Sequence, residues 1–222
     1  MLRARCRSCG EPISARYPTV ELLVGVLALA ISVRFGFTAA SVGYFALAAA
    51  LVALAYIDLD TWLLPNQITF PLLALGLLSP FWNGARVSFA ESAIGAAAGL
   101  AFFGAIALVG EKLLHRETMG WGDVVLLGGI GAWLGWQPLL PVVMLSALQG
   151  SVVGLLMLAA GRDLAKRGQE ESAQKSAGED DWTPPPHAVP YGPFLALAAL
   201  QWLLLGDLLT RLYDDFLRRL WS

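Results

Sequence analysis

Two aspartates carry the chemistry that this sequence can do. The first stands in Thr118-Met119-Gly120-Trp121-Gly122-Asp123-Val124-Val125-Leu126-Leu127, ahead of a run with no further charge until Arg162. A carboxylate at the mouth of a membrane-length apolar run is costly to hold there, so such groups usually serve a function. Gly120 and Gly122 disfavour helix and let backbone or substrate approach closely. Together they predict a helix that starts at Asp123 with its carboxylate as N-cap. The second acid stands in Ile57-Asp58-Leu59-Asp60, followed by Thr61-Trp62-Leu63-Leu64-Pro65-Asn66. Pro65 cannot continue a helix, which places Asp58 near a helix C-terminus. Two acids sharing one site cannot both ionise easily. Such a pair can hold a water, one acid taking its proton while the other donates to a carbonyl oxygen. The helix ends give Asp123 the ionised role, beside a positive dipole end, and Asp58 the protonated one. Asp60, two positions from Asp58, lies off its helix face and is expected to meet headgroups or solvent.

Other chemistry is thin. His115 and His187 fall in loops without metal-ligand spacing around them, and the serines lack any histidine–acid arrangement. Cys6-Arg7-Ser8-Cys9 has metal-ligand spacing, but a structural zinc site takes four ligands and this pair supplies two. No full zinc site is expected within one chain. Both cysteines lie in an arginine-rich segment with cytosol-type charges, so no structural disulfide is expected. Glu21, after Pro18, reads as a first-turn acid favoured by a helix dipole.

The elements that must position the two acids are membrane helices. Of 222 residues, 57% are hydrophobic and 14% charged, against roughly a quarter charged in soluble domains. The fold class is therefore all-α, a polytopic bundle of about seven transmembrane helices in one domain over residues 1–222. Apolar runs place the spans at about 19–35, 39–57, 67–82, 88–110, 123–137, 139–160 and 190–207, each judged against the ~20 residues a bilayer requires. Span three is interrupted by Pro71 and Pro80, and Gly95 and Gly99 give span four a small-residue packing face. Gly128, Gly131 and Gly135 line span five in the same way. Residues 161–189, charged and closing in Pro184-Pro185-Pro186, read as a flexible loop. The tail 208–222 reads as an interfacial amphipathic helix. Lys and Arg concentrate in residues 1–18, the Glu111–Arg116 turn and the 161–189 loop. The positive-inside rule then makes those segments cytosolic and puts both acids on the cytosolic side. The chain opens basic, with Cys and Pro before any apolar run, so no cleavable signal peptide is expected. The net charge of −2 says nothing about nucleic acid, but no basic stripe carrying interleaved aromatics is present, and no nucleic-acid partner is expected.

Four motifs in order give the sequence a resemblance. They are Cys6-x-x-Cys9 followed by Ile13-Ser14-x-Arg16-Tyr17-Pro18-x-Val20-Glu21-Leu22-Leu23; Ile57-Asp58-x-Asp60 with Leu64-Pro65-Asn66; Gly120-x-Gly122-Asp123-x-x-Leu126-Leu127; and Tyr191-Gly192-Pro193. The chain resembles the type IV prepilin peptidases, membrane aspartic proteases that share a GxGD motif with presenilin-like and preflagellin peptidases. The resemblance implies that Asp58 and Asp123 are the catalytic pair, with Gly120, Gly122, Pro65 and Asn66 beside them in substrate-binding or structural roles. It implies cleavage of a basic leader from prepilins or pseudopilins, after a glycine, at the cytosolic face of a bacterial inner membrane. It also implies methylation of the new N-terminus with S-adenosylmethionine in many members. Zinc would be held by Cys6 and Cys9 with an earlier C-x-x-C. This chain starts after that motif and its upstream helix, carries Val125 where many members have Lys, and has Tyr191 for a usual Phe. Two other classes fit intramembrane acids: a proton-coupled transporter, and a non-catalytic scaffold that binds pilin-like helices. Both acids at one face, and no pair of matching halves, weigh against the transporter.

Overall fold

The computed structural model describes residues 14–84, 86–114, 119–159 and 189–220. Among these are seven α-helices: α1 Arg16–Phe35, α2 Ala39–Thr61, α3 Asn66–Leu78, α4 Phe89–Leu114, α5 Trp121–Leu134, α6 Leu139–Ala159 and α7 Gly192–Leu220. Helices α1, α2, α4, α6 and α7 are long and apolar enough to cross a bilayer alone. The protein is an all-α, multi-pass membrane bundle. α3 and α5 are shorter, at 13 and 14 residues. At 1.5 Å per residue each reaches about 20 Å, less than the ~30 Å hydrocarbon core.

α5 sits at the centre, packed against α3, α4, α6 and α7. Its leucines 126 and 127 and Ile130 are fully buried, together with Leu47, Leu51 and Leu54 of α2 and Leu195 of α7. Large apolar side chains such as Leu22, Leu29, Val33, Leu148 and Leu155 point outward instead. That distribution suits a surface solvated by lipid rather than water. Lipid offers no hydrophobic drive between helices, so close backbone packing must substitute. The expected small-residue face does this: Gly95 backs onto the Gly131 carbonyl, and a Cβ at Gly99 would lie 2.6 Å from the Leu127 carbonyl oxygen. Polar bonds add to it, with Trp133 Nε1 donating to the Leu72 carbonyl at 2.8 Å and the Ser92 hydroxyl to the Ala132 carbonyl at 2.8 Å.

Helix ends differ from the sequence expectations in four places. α5 starts at Trp121, not at Asp123, because extended Gly120 (φ −68°, ψ 134°) serves as N-cap and its carbonyl accepts the Asp123 N–H at 3.1 Å. α1 starts at Arg16, which moves Glu21 past the first turn to an exposed position. Span three ends at Leu78 and continues as a 3-10 turn, Ser79–Phe81, where Pro80 removes an N–H donor. The tail is no separate element, since α7 runs unbroken from Gly192 to Leu220. Gly135 ends α5 at a positive φ (86°) that glycine adopts without strain. Cys6, Cys9, His115, His187 and nearly all of the 161–189 loop lie outside the described residues.

The glycine contact predicts a contrast. Gly95→Leu is expected to cost more than about 2 kcal/mol by forcing α4 off α5. Gly25→Leu, with nothing within 4 Å of the added Cβ, should stay within about 1 kcal/mol of wild type. Thermal unfolding of the detergent-solubilised chain reads both.

Candidate active site

α2 stops just after Asp58 for a local reason. Trp62 adopts a left-handed conformation (φ 57°), the only non-glycine to do so among the described residues, and its N–H bonds back to the Asp58 carbonyl at 2.9 Å. Strained conformations of this kind gather at functional sites. Leu63 and Leu64 then turn the chain, and Pro65 caps α3, its carbonyl accepting the Ile68 N–H at 2.9 Å. Asn66 follows as the first helical residue and is exposed. Pro65 and Asn66 therefore belong to the turn that closes α2 onto α3.

Asp58 is 5% exposed, and its Oδ2 accepts the backbone N–H of Gly192 at 3.0 Å. The first N–H groups of a helix lack intrahelical partners, so α7 offers this donor without losing a bond. A Cβ on Gly192 would stand 2.6 Å from Asp58 Oδ2. Only glycine at that position lets the backbone come this close. Tyr191, the preceding residue, packs on Phe103 with ring centroids 5.9 Å apart and shares a short hydrogen bond with the Ser146 hydroxyl. The Tyr191-Gly192-Pro193 motif thus forms a wall of the site. Its role could not be assigned from the sequence; the signal present was a glycine between an aromatic and a proline at a helix start.

Asp123 enters from α5, third residue of its first turn. It is near enough to Asp58 and to Tyr191 for its charge to interact with both. The fold therefore brings together the two acids singled out by sequence, although 65 positions separate them. Asp123 Oδ1 is buried with no hydrogen-bond partner among the described residues. Gly120 lies beside the other oxygen, and a Cβ there would sit 3.6 Å from Asp123 Oδ2. Gly122 serves packing, since a Cβ would come 2.6 Å from the Leu64 Cβ. Leu64, not singled out by sequence, also lies 3.4 Å from a Cβ on Gly192, so it is wedged between the starts of α5 and α7. Val125 is half-buried on α5.

Asp60 is half in solvent, as expected, and its carboxylate also finds a cation that the sequence did not point to. It takes a bidentate ion pair from Arg16, both N–O distances 2.7 Å, while the Arg16 guanidinium lies 5.1 Å from the Tyr56 ring centroid. This clip ties the start of α1 to the end of α2 one turn from the acids. Among the described residues no group of His, Cys, Asp and Glu is arranged to hold a metal.

These features define a class: a multi-pass helical membrane protein with a close pair of carboxylates at one end of its bundle. A family model described as the type IV leader peptidase family matches residues 45–155, and one described as the bacterial peptidase A24 N-terminal domain matches residues 1–35. Similar curated proteins carry the name prepilin leader peptidase/N-methyltransferase. The one from Myxococcus xanthus is 38% identical over 95% of this chain and 75% of its own length. Those from Aeromonas hydrophila and Burkholderia pseudomallei are 40% and 39% identical, over 96% and 92% of this chain. The chain spans 66% and 60% of these two relatives. No solved structure matches. The chain belongs to the type IV leader peptidase family, and so to the prepilin peptidase class of enzymes.

The Arg16–Asp60 pair yields a prediction. Its side chains are 46% and 47% exposed, so screening limits its worth, and Asp60→Asn should cost no more than about 1 kcal/mol. Thermal unfolding tests this.

Proposed function

We propose that the chain is a membrane aspartic endopeptidase that removes the basic leader of prepilins or pseudopilins, with Asp58 and Asp123 as its catalytic pair. One observation carries the reading: a buried and a partly buried carboxylate from helices distant in sequence converge at one end of the bundle, with Gly192 N–H on the buried one. Asp58, held by that donor, takes a proton from a water lying between the acids. Asp123 carries the proton of the pair and passes it to the scissile carbonyl oxygen as the hydroxide adds to carbon. Collapse of the tetrahedral diol returns a proton to the leaving amine and breaks the C–N bond. This reverses the roles expected from sequence, which rested on the helix dipole at Asp123; Asp123 does lie in the first turn of α5, but the Gly192 N–H favours the ionised form of Asp58. Asp123 and Asp58 sit at the bundle end rather than mid-membrane, where a polar leader meets its apolar helix, and this favours the peptidase over a transporter.

The charge pattern supports placing that end at the cytosolic face of a bacterial inner membrane, with residues 1–18 cytosolic. The relatives' names include N-methyltransferase, so methylation of the new N-terminus belongs to the proposal. S-Adenosylmethionine would supply the methyl group; no described residue is assigned to it, and the steps above do not use it. The single-domain reading of residues 1–222 is part of the same proposal.

Coexpression with a prepilin, read by mass spectrometry of the pilin N-terminus, tests the reading. Asp58→Asn and Asp123→Asn should each lower cleavage at least about 100-fold, whereas Asp60→Asn should keep most of it. A folded, inserted Asp58→Asn variant that still cleaved would refute the dyad and favour a scaffold role. For topology, a reporter fused after Asp180 should score as cytosolic.

Gly192→Ala supplies a separate prediction: cleavage should fall about tenfold or more as the Asp58 carboxylate is displaced. Leu197→Ala, exposed on the same helix, should leave cleavage unchanged in the same assay.

A further inference from the structure

A polar cavity of about 180 Å³ lies at the end of the bundle away from the aspartates. Arg34 and Phe35 close α1, Tyr44 lies in the opening turns of α2, and Trp133 is in the last turn of α5. On α7 the cavity is reached at Asp207, fifteen residues past Gly192, or about 22 Å further along the axis. Arg86 enters from the segment before α4.

Two like charges converge here. The guanidinium carbons of Arg34 and Arg86 stand 5.4 and 4.7 Å from the same Phe35 ring centroid. One carboxylate answers them: Asp207 meets Arg34 Nη2 at 3.0 Å and is itself 76% exposed. Among the described residues Arg86 has no ion-pair partner. Arg34 Nε is buried and has no acceptor among the described residues. A buried charged N–H without an acceptor is costly, because desolvation is not repaid by a bond. An oxygen-rich anion between the guanidiniums supplies both an acceptor for Nε and the missing counter-charge. Guanidinium forks match phosphate oxygens in geometry. The cavity is smaller than the ~300 Å³ at which drug-sized sites begin, so it suits a phosphate group rather than a whole metabolite. Trp202, which also lines it, is a residue type favoured at the depth of lipid headgroups.

We infer that this cavity binds a phosphate group, supplied by the headgroup of an anionic phospholipid or by free phosphate, at the membrane face opposite the aspartates. The inference is independent of the peptidase reading and predicts binding whether or not the chain cleaves prepilins.

The full chain, reconstituted in phosphatidylcholine vesicles doped with phosphatidylglycerol, is extracted for native mass spectrometry. One phosphatidylglycerol should be retained per wild-type chain, and Arg86→Gln should lower that occupancy about tenfold or more. Arg86 is exposed, so its variant is expected to fold, and Arg86→Lys should recover part of the retention by keeping the charge. Arg34→Gln should lower retention as well. In a second arm the detergent-solubilised chain is titrated with inorganic phosphate and followed by tryptophan fluorescence. A response that Arg86→Gln removes, without selective lipid retention, assigns the site to free phosphate. If Arg86→Gln changes neither lipid retention nor the phosphate response, the site does not exist.

Discussion

The hydrogen bond from Gly192 N–H to Asp58 Oδ2 joins the end of α2 to the start of α7 across 134 positions. An acid inside an apolar bundle needs a donor, and a helix start has donors with no partner. Each need answers the other. The bond restricts residue 192 to glycine, because any Cβ would collide with the carboxylate it must reach. It also requires α2 to end where it does, at left-handed Trp62, so that Leu64 can wedge between the starts of α5 and α7.

The second requirement is that α5 hold still. A helix of 14 residues cannot anchor itself across a bilayer, and lipid supplies no hydrophobic drive to press it on its neighbours. Backbone-to-backbone contact through Gly95, Gly99 and Gly131 supplies that order, with Trp133 and Ser92 fastening the same end by side-chain bonds to carbonyls. Asp123, at the opposite end of this fixed helix, needs no loop to aim it. Both ends of the bundle are polar for different reasons: two acids and a helix start at one, two arginines around an aromatic ring at the other.

Proteolysis at such a site needs substrate backbone that is not helical. In the proposed peptidase reading, the acids at the bundle end, beside the Leu63–Pro65 turn and Tyr191 ahead of α7, would receive that extended segment. The Arg16–Asp60 clip keeps the first helix against this end at little energetic cost, since both side chains stay half in solvent.

Hydropathy runs and punctuation determined much of this without tertiary contacts. Seven helices, the small-residue face of α4, and the placement of Asp58 and Asp123 at helix ends on one side follow from apolar run length, glycine spacing and the stop at Pro65. These are local properties, read over one or two helical turns. The start of α5 was misread because Gly120 was taken as a helix breaker, when its extended backbone makes it the cap of a helix that includes Gly122. Only the tertiary structure decided which donor Asp58 finds, that Arg16 claims Asp60, and that Leu64 fits between two glycine-bearing helix starts. Those depend on distances between residues far apart in the chain, and a sequence carries no signal for such a distance until packing sets it.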